Sequence, residues 1–233
     1  MLASIFFSGG NPLLAGMFVI LALLLSVTIT LLVSSVLSKT ILKGEASSFT
    51  LELPPYRKPQ FAKVIVRSIL DRTIFVLGRA ISVSVPAGAL IWLLQNITIA
   101  DSTLLSMFSN MLEPLGSIMG LSGAILAAFL LGIPANEIVI PILLMYYSQS
   151  GMLVESSGIA ELGEILRNNG WTIITALCAI LFSLNHFPCA TTLWTIAKET
   201  KSIKWTTVSF LLPTMVGVAI CIVVNSVGVM LNL

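Results

Sequence analysis

Charged residues are absent from the first 38 positions of the chain, and residues 13–37 form one apolar run. A membrane-spanning helix needs about 20 predominantly apolar residues, so this run predicts a first transmembrane span. It is too long for the core of a secretory signal, and no Lys or Arg precedes it. Three further charge-free runs follow at residues 80–100, 171–197 and 205–233. Each is long enough to cross a bilayer, with Trp92 in the outer part of the second and Pro213 near the start of the last.

Two of the apolar stretches are interrupted. The run that begins at Pro114 breaks at Gly132-Ile133-Pro134-Ala135-Asn136-Glu137, and apolar sequence resumes at Ile138 past a second expected break at Pro141. Within 171–197 the string Asn185-His186-Phe187-Pro188-Cys189 falls in the middle, where Pro188 frees backbone carbonyls one turn back. Residues 101–113 are acidic and Ser-rich and read as an external turn, and 151–170, with three Glu and one Arg, reads as a loop.

Charge placement orients these elements. Residues 39–79 hold eight of the twelve basic residues against three acids, which marks the segment as cytoplasmic. Within it Leu53-Pro54-Pro55-Tyr56-Arg57-Lys58-Pro59 cannot be helical and forms a rigid elbow. Lys63, Arg67 and Asp71 then recur every fourth residue, so 61–79 is expected to be an amphipathic helix at the interface. If 121–149 crossed as one broken span, the acidic loop would lie inside and Lys198, Lys201 and Lys204 outside, against the positive-inside tendency. A re-entrant hairpin of two halves, each about 20 Å long, restores both placements and is the favoured reading. Its non-helical tip must be buried in protein or line a water-filled cavity.

The chain thus divides into a first span (1–38), a cytoplasmic linker with elbow and amphipathic helix (39–79) and a membrane domain (80–233). The last contains the second span, the broken segment 121–149, the broken span 171–197 and the last span 205–233. The expected fold class is an all-α polytopic membrane protein with about four transmembrane helices, one re-entrant helical hairpin and one interfacial amphipathic helix. Composition agrees, since 57% of the 233 residues are hydrophobic and 9% charged, far from the roughly 25% charged residues of soluble domains. A balance of 12 basic and 10 acidic residues suggests no nucleic-acid partner; the bilayer is the partner required.

Candidate chemistry is confined to the two breaks. Glu137 is the only acid inside an apolar run, flanked by Pro134 and Pro141, and a carboxylate at membrane depth costs on the order of 3 kcal/mol unless it faces a cavity or a partner. A protonated, hydrogen-bonded Glu137 is the structural alternative. His186 is the only histidine, and Cys189 lies three residues beyond it with Asn185 alongside. Each alone reads as a core residue; together with Glu137 they offer imidazole, thiolate, amide and carboxylate, the donor set of a first-row divalent metal. Thr191 and Thr192 line the pathway below the break or bond back to their own helix. Cys178 and Cys221 lack such company and read as packing residues, and the three cysteines include no CxxC pair. Paired discontinuous helices at mid-membrane are the mark of secondary transporter sites. No nucleotide-binding G-x-x-x-x-G-K-[ST] string occurs, nor an HExxH, so the chain is not read as an enzyme and cannot energise transport by itself.

Three strings carry a family resemblance. Lys43-Gly44-Glu45-Ala46-Ser47-Ser48-Phe49-Thr50-Leu51-Glu52-Leu53-Pro54-Pro55-Tyr56-Arg57-Lys58-Pro59 resembles the KGE-x-S-x-F-x-x-ELPPYR-x-P linker of the ferrous iron transport protein B (FeoB) family. Gly132-Ile133-Pro134-Ala135-Asn136-Glu137-Ile138-Val139 is similar to its G-x-x-AKE-x-V motif. Phe187-Pro188-Cys189-Ala190-Thr191-Thr192 with Lys198-Glu199-Thr200 is similar to its PC-x-AT…K-x-ET motif. The resemblance covers essentially the whole chain and implies the C-terminal, second-Gate part of an Fe(II) permease of the bacterial inner membrane. It implies Fe(II) as the transported ion with no permanently bound cofactor, Cys189 as the second-Gate cysteine and Glu137 as the motif acid. Asn136 and His186 are expected to support them, and Asn185, Pro188, Thr191, Thr192 and Pro134 to line the path.

Asn136 stands where the family usually has Lys, which removes a charge partner from Glu137, and His186 lies outside the family pattern. Met1 falls where the family has completed its GTP-binding domain and first Gate. The expectation is therefore a split subunit or fragment working with a GTPase/first-Gate partner, with a small FeoA-like accessory or a homo-oligomer also open. A non-transporting scaffold or degenerate relic, and a Gate-type carrier for a nucleoside-like solute, are the alternative functions.

Overall fold

The computed structural model describes residues 1–7, 11–40, 61–67, 73–99, 102–150, 152 and 158–231. The Pro-rich elbow, the Lys43-to-Glu52 string, Asp71 and Asp101 lie outside the described residues. The elements are almost all helical: α1 (Leu2–Phe6), α2 (Pro12–Thr40), α3 (Phe61–Arg67), α4 (Phe75–Asn96), α5 (Leu104–Ile118), α6 (Gly123–Leu131), α7 (Val139–Ser148), α8 (Ile159–Asn168), α9 (Ile173–Asn185), α10 (Ala190–Thr200) and α11 (Ile203–Met230). A two-residue antiparallel hairpin, β1 (Thr98–Ile99) with β2 (Ser102–Thr103), joins α4 to α5. Among the described residues, four stretches are long and apolar enough to cross a membrane: Pro12–Thr40, Val76–Asn96, Ile173–Thr200, which joins α9 and α10, and Ile203–Met230, with the bent pair α5 and α6 a fifth if it crosses as one span. The protein is an all-α polytopic membrane protein.

α6 and α7 fold back on each other. Gly132 and Val139 touch at the tip, while at the open end the Tyr147 hydroxyl lies near the Ser122 side chain beside the start of α6. An antiparallel pair is what the charge balance favoured for 121–149. Gly132 is required there: a Cβ would sit 2.7 Å from Val139 Cγ2 and 3.0 Å from the Ala128 carbonyl oxygen, closer than packed atoms tolerate. α6 is buried along nearly its whole length, from Gly123 to Phe129, and α7 buries Ile142, Leu143, Leu144 and Met145. This hairpin is the centre of the core, packed with Leu105 of α5, Leu162 and Leu166 of α8 and Phe182 of α9.

Several sequence expectations are corrected. Pro141 does not break the chain, because it is the third residue of α7, in the first helical turn where a missing N–H has no partner to lose. Residues 104–118 of the expected external turn and following run form α5 instead. Thr103 caps it through Oγ1, accepting from Ser106 N–H at 3.1 Å, and Leu105, Ser109 and Gly116 face inward. α5 meets α6 at 111°. Glu113 fixes the bend by accepting from Gly123 N–H at 2.6 Å at the start of α6, where the helix dipole favours a carboxylate. The acidic loop contains α8, whose Leu162 and Leu166 are fully buried one turn apart. Of the expected amphipathic helix 61–79, residues 61–67 form α3, residues 68–72 lie outside the described residues, and residues 75–79 belong to the second span as the start of α4.

Cys178 and Cys221 are packing residues, as expected, and pack against each other. Both are fully buried where α9 meets α11, and each thiol donates to the other's backbone, Cys221 Sγ to the Cys178 carbonyl at 3.4 Å and Cys178 Sγ to the Cys221 carbonyl at 3.8 Å. Gly217, Cys221 and Gly228 are the buried residues of α11. Small residues let helix backbones approach closely in a membrane, where hydrophobic attraction between helices is lost. The outward faces of α2, α4 and α11 stay apolar and exposed, with Leu21, Val85 and Val223 all above 60%, as a lipid-facing surface requires.

Most of the charged residues segregate, with Glu199 beside Lys198 and Glu137 at the hairpin tip as exceptions. Lys39, Arg79, Lys198, Lys201 and Lys204 occur at one set of helix ends, where α2 stops, α4 starts and α10 turns into α11. Glu113, Glu161, Glu164 and Arg167 belong to α5 and α8 at the opposite end. There Arg167 Nη2 donates to the Ile5 carbonyl at 2.9 Å and clamps α1 against α8.

Candidate functional site

α9 stops because Pro188 cannot donate and excludes its predecessor from the helical region; His186, at the cap, is already extended with φ −88° and ψ −173°. α10 restarts at Ala190 with Cys189 as its N-cap residue, φ −62° and ψ 159°. The opposite break runs from Gly132 to a single 3-10 turn, Asn136–Ile138. Short turn bonds hold it, Ala135 N–H to the Gly132 carbonyl at 3.0 Å and Ile138 N–H to the Ala135 carbonyl at 3.1 Å. The two breaks are joined directly, since the Ala190 N–H donates to the Ile133 carbonyl at 2.8 Å. A backbone group released by one break thus satisfies one released by the other.

The sequence candidates take different places around this junction. Cys189 is partly exposed, with Sγ 3.2 Å from Thr191 Oγ1 and 3.1 Å from Thr192 Oγ1. Asn136 and Glu137 are exposed at the hairpin tip and Pro134 is half-buried. His186 is held by Nδ1, 2.9 Å from the Ser183 carbonyl. A carbonyl only accepts, so Nδ1 carries the proton and Nε2 presents its lone pair. Nε2 is buried with no partner. Phe129, Phe182 and Phe187 surround the ring, with centroids 5.3, 5.6 and 4.8 Å away. His186 lines two cavities, one of about 160 Å³ shared with Asn136 and Ser183, the other of about 290 Å³ shared with Thr30, Ser34, Asn185 and Pro213.

Asn185 serves the scaffold as well. Its Nδ2 donates to the Leu181 carbonyl at 2.9 Å and its Oδ1 accepts from Ser26 Oγ at 3.1 Å, pinning α2 to the end of α9. Among the described residues no three His, Cys, Asp or Glu side chains stand close enough to hold one metal ion. The carboxylate, imidazole and thiolate are therefore not gathered into a closed chelate. Arg79 was not singled out from the sequence, where it marked only the edge of a span. Its Nη1 donates to Thr195 Oγ1 at 2.9 Å, joining α4 to α10, and its Nε is buried without a partner. Its signal was a cation at the edge of an otherwise apolar run, facing the Thr191–Thr195 pair one helical turn apart.

Paired helix breaks within a polytopic bundle recur at the binding sites of secondary transporters. Residues 77–203 match the Gate family, described as "Nucleoside recognition", and residues 18–71 match the "Ferrous iron transport protein B C terminus" family. The chain belongs to the Gate family, and the two matches together make it a C-terminal FeoB-type membrane part. It is 30% identical over 214 residues to the "Fe(2+) transporter FeoB" of Staphylococcus aureus (strain MSSA476), covering 88% of this chain and 30% of that protein. Proteins of the same name from Synechocystis sp. and Methanocaldococcus jannaschii are 29% and 24% identical, over 82% and 88% of this chain and 30% and 31% of theirs. The chain thus spans about 30% of the length of the curated relatives it matches. No solved structure matches it.

Proposed function

We propose that the chain is the second half of an Fe(II) permease of the bacterial plasma membrane. The observation that carries this reading is the hydrogen bond from Ala190 N–H to the Ile133 carbonyl, which brings the two helix breaks to one depth. The likeness to Fe(2+) transporters across 88% of the chain supports iron as the ion. The basic end faces the cytoplasm by the positive-inside tendency. Ferrous iron passes the junction as substrate, with Cys189 and Glu137 as its first contacts and Asn136, His186 and released carbonyls in support. Asn185, Pro188, Thr191, Thr192 and Pro134 line the way.

An exposed Glu137 at membrane depth is tolerable only against water or a partner, and the Nε2 lone pair of His186 is ready for a cation because Nδ1–H is already committed to a carbonyl. Contacts that do not close around the ion let it leave, as conduction requires. A partner carrying the GTPase and first Gate supplies the energy. The test is Fe(II) uptake in cells holding that partner. Cys189→Ser and Glu137→Ala are expected to abolish uptake at normal membrane levels, with wild-type uptake competed by Mn(II) or Zn(II). Wild-type uptake in both variants overturns the site, and competition by nucleosides in place of metals overturns the substrate.

A further inference from the structure

The smaller cavity at His186, of about 160 Å³, is a slot between the α6–α7 hairpin and α9. Along α9 its lining starts at Trp171, just before the first turn, and passes Ala179 and Ser183 to His186 at the break. That is roughly 20 Å of helix at 1.5 Å per residue. On the hairpin it runs from Ile125 and Leu143 to Asn136 at the tip. The slot therefore joins the acidic end of the bundle, which the positive-inside tendency places outside, to the junction of the two helix breaks. Its polar side chains, Asn136, Ser183 and His186, stand at the inner end, and Leu2, Ile125 and Trp171 line the outer end.

Leu2 and Trp171 are held in different ways. Trp171 is buried and pinned through Nε1, which donates to the Tyr147 hydroxyl at 3.0 Å. Leu2 belongs to α1, a helix of only five residues. A helix that short does not persist on its own hydrogen bonds, so α1 keeps its form and place through what it touches. Arg167 Nη2 donates to the Ile5 carbonyl at 2.9 Å, the same guanidinium lies 5.7 Å over the Phe6 ring, and Phe6 stacks on Trp171 with centroids 6.2 Å apart. Ile5 is buried against Gly163 of α8. These anchors lie on α8 and the turn before α9, outside the hairpin, so α1 can lift without unpacking the centre of the core. Short segments held by few contacts are the ones that open first in a native protein.

We propose that the slot is the outer access route to the junction of the breaks and that α1 is its lid, closed in this structure and lifted off α8 when the route opens. With α1 in place the apolar outer part stays dry, and a passage without water stops a cation that needs its hydration. Lifting Leu2 away joins the slot to the outer solution, whose water then reaches Ser183 and Asn136. The proposal rests on the permease reading for the identity of what passes; it adds the side of arrival and the element that admits it.

The test locks the lid. An ideal Cβ on Gly163 lies 3.9 Å from Ile5 Cβ, a separation that suits a disulfide, and replacing Ile5 removes the methyl that this Cβ would crowd. The chain carrying Ile5→Cys with Gly163→Cys is therefore expected to close a reversible link between α1 and α8. In right-side-out vesicles that also hold the partner, oxidation should lower Fe(II) uptake at least tenfold and dithiothreitol should restore it, while each single substitution should respond to neither treatment. A second readout is independent of the ion. Ser183→Cys in a Cys189→Ser background is treated from outside with a charged methanethiosulfonate, and modification at position 183 is followed by peptide mass spectrometry. It should be slow with the lid locked and faster once reduced. In Arg167→Gln it should run about tenfold faster than with Arg167 intact, the scale of one hydrogen bond to a charged group. Uptake by the locked chain at the reduced rate, or equal modification in locked, reduced and Arg167→Gln forms, overturns the lid. If the reduced chain imports no iron while modification still follows the lock, the permease reading fails and the lid stands.

Discussion

Replacing Asn185 with Ala removes two hydrogen bonds from one 7% exposed amide, the 2.9 Å donation to the Leu181 carbonyl and the 3.1 Å acceptance from Ser26 Oγ. The Leu181 carbonyl also faces the Asn185 backbone N–H, its i+4 partner in α9, so it keeps a donor when the side chain is lost. Each net hydrogen bond contributes about 1 kcal/mol. Asn185→Ala should therefore destabilise by about 1–2 kcal/mol. Ser26→Ala strands only one lone pair of the amide oxygen and should cost about 1 kcal/mol. The coupling in the double-mutant cycle isolates the α2–α9 bond, and side-chain bonds in membrane proteins average about 0.6 kcal/mol by such cycles. The assay is reversible unfolding in detergent micelles, followed by tryptophan fluorescence for all four forms. Strict additivity would refute the idea that Asn185 pins α2 to the helix break, leaving its amide free to face the cation path.

Gly132→Ala should destabilise by about 1–3 kcal/mol through overpacking against Val139 and Ala128, seen as a lowered unfolding midpoint; an unchanged midpoint would mean the hairpin tip is not closely packed. Of the three cysteines, Cys178 and Cys221 are fully buried and Cys189 is partly exposed, so mass spectrometry after maleimide treatment should find one label on the native protein and three after SDS. Cysteines introduced at Ser122 and Gln149 should label from the same side of the membrane if α6 and α7 form a hairpin, and from opposite sides if they form one broken span. Arg79→Leu should weaken the α4–α10 contact by about 1 kcal/mol, the worth of its bond to Thr195, and Thr195→Val should lose little further in the Arg79→Leu background.

The spans were legible because insertion into a bilayer depends on the summed hydropathy of one contiguous segment, and residues 13–37 or 205–233 carry that sum wherever they pack. The breaks were legible for the same local reason, through Pro134 and Pro188. α5 and α8 were not. Glu113, Glu161 and Glu164 lowered the apolar character of their windows, although Leu162 and Leu166 at i and i+4 were the available signal for α8. Among the candidate residues, Cys189, Glu137 and His186 could be named from their chemistry, but Arg79 could not, because a cation at the edge of an apolar run is an ordinary interfacial residue until its bond to Thr195 is known.

The sequence by itself determined the class of protein, the number of spans and the two points where helices must stop, since each follows from side-chain transfer energies and backbone restrictions within one segment. Only the tertiary structure decided that the breaks meet through Ile133 and Ala190, that Cys178 faces Cys221, and that His186 Nε2 is buried without a partner. Hydrogen bonds and dipoles act over a few ångströms in space, between residues whose separation along the chain carries no trace of that proximity.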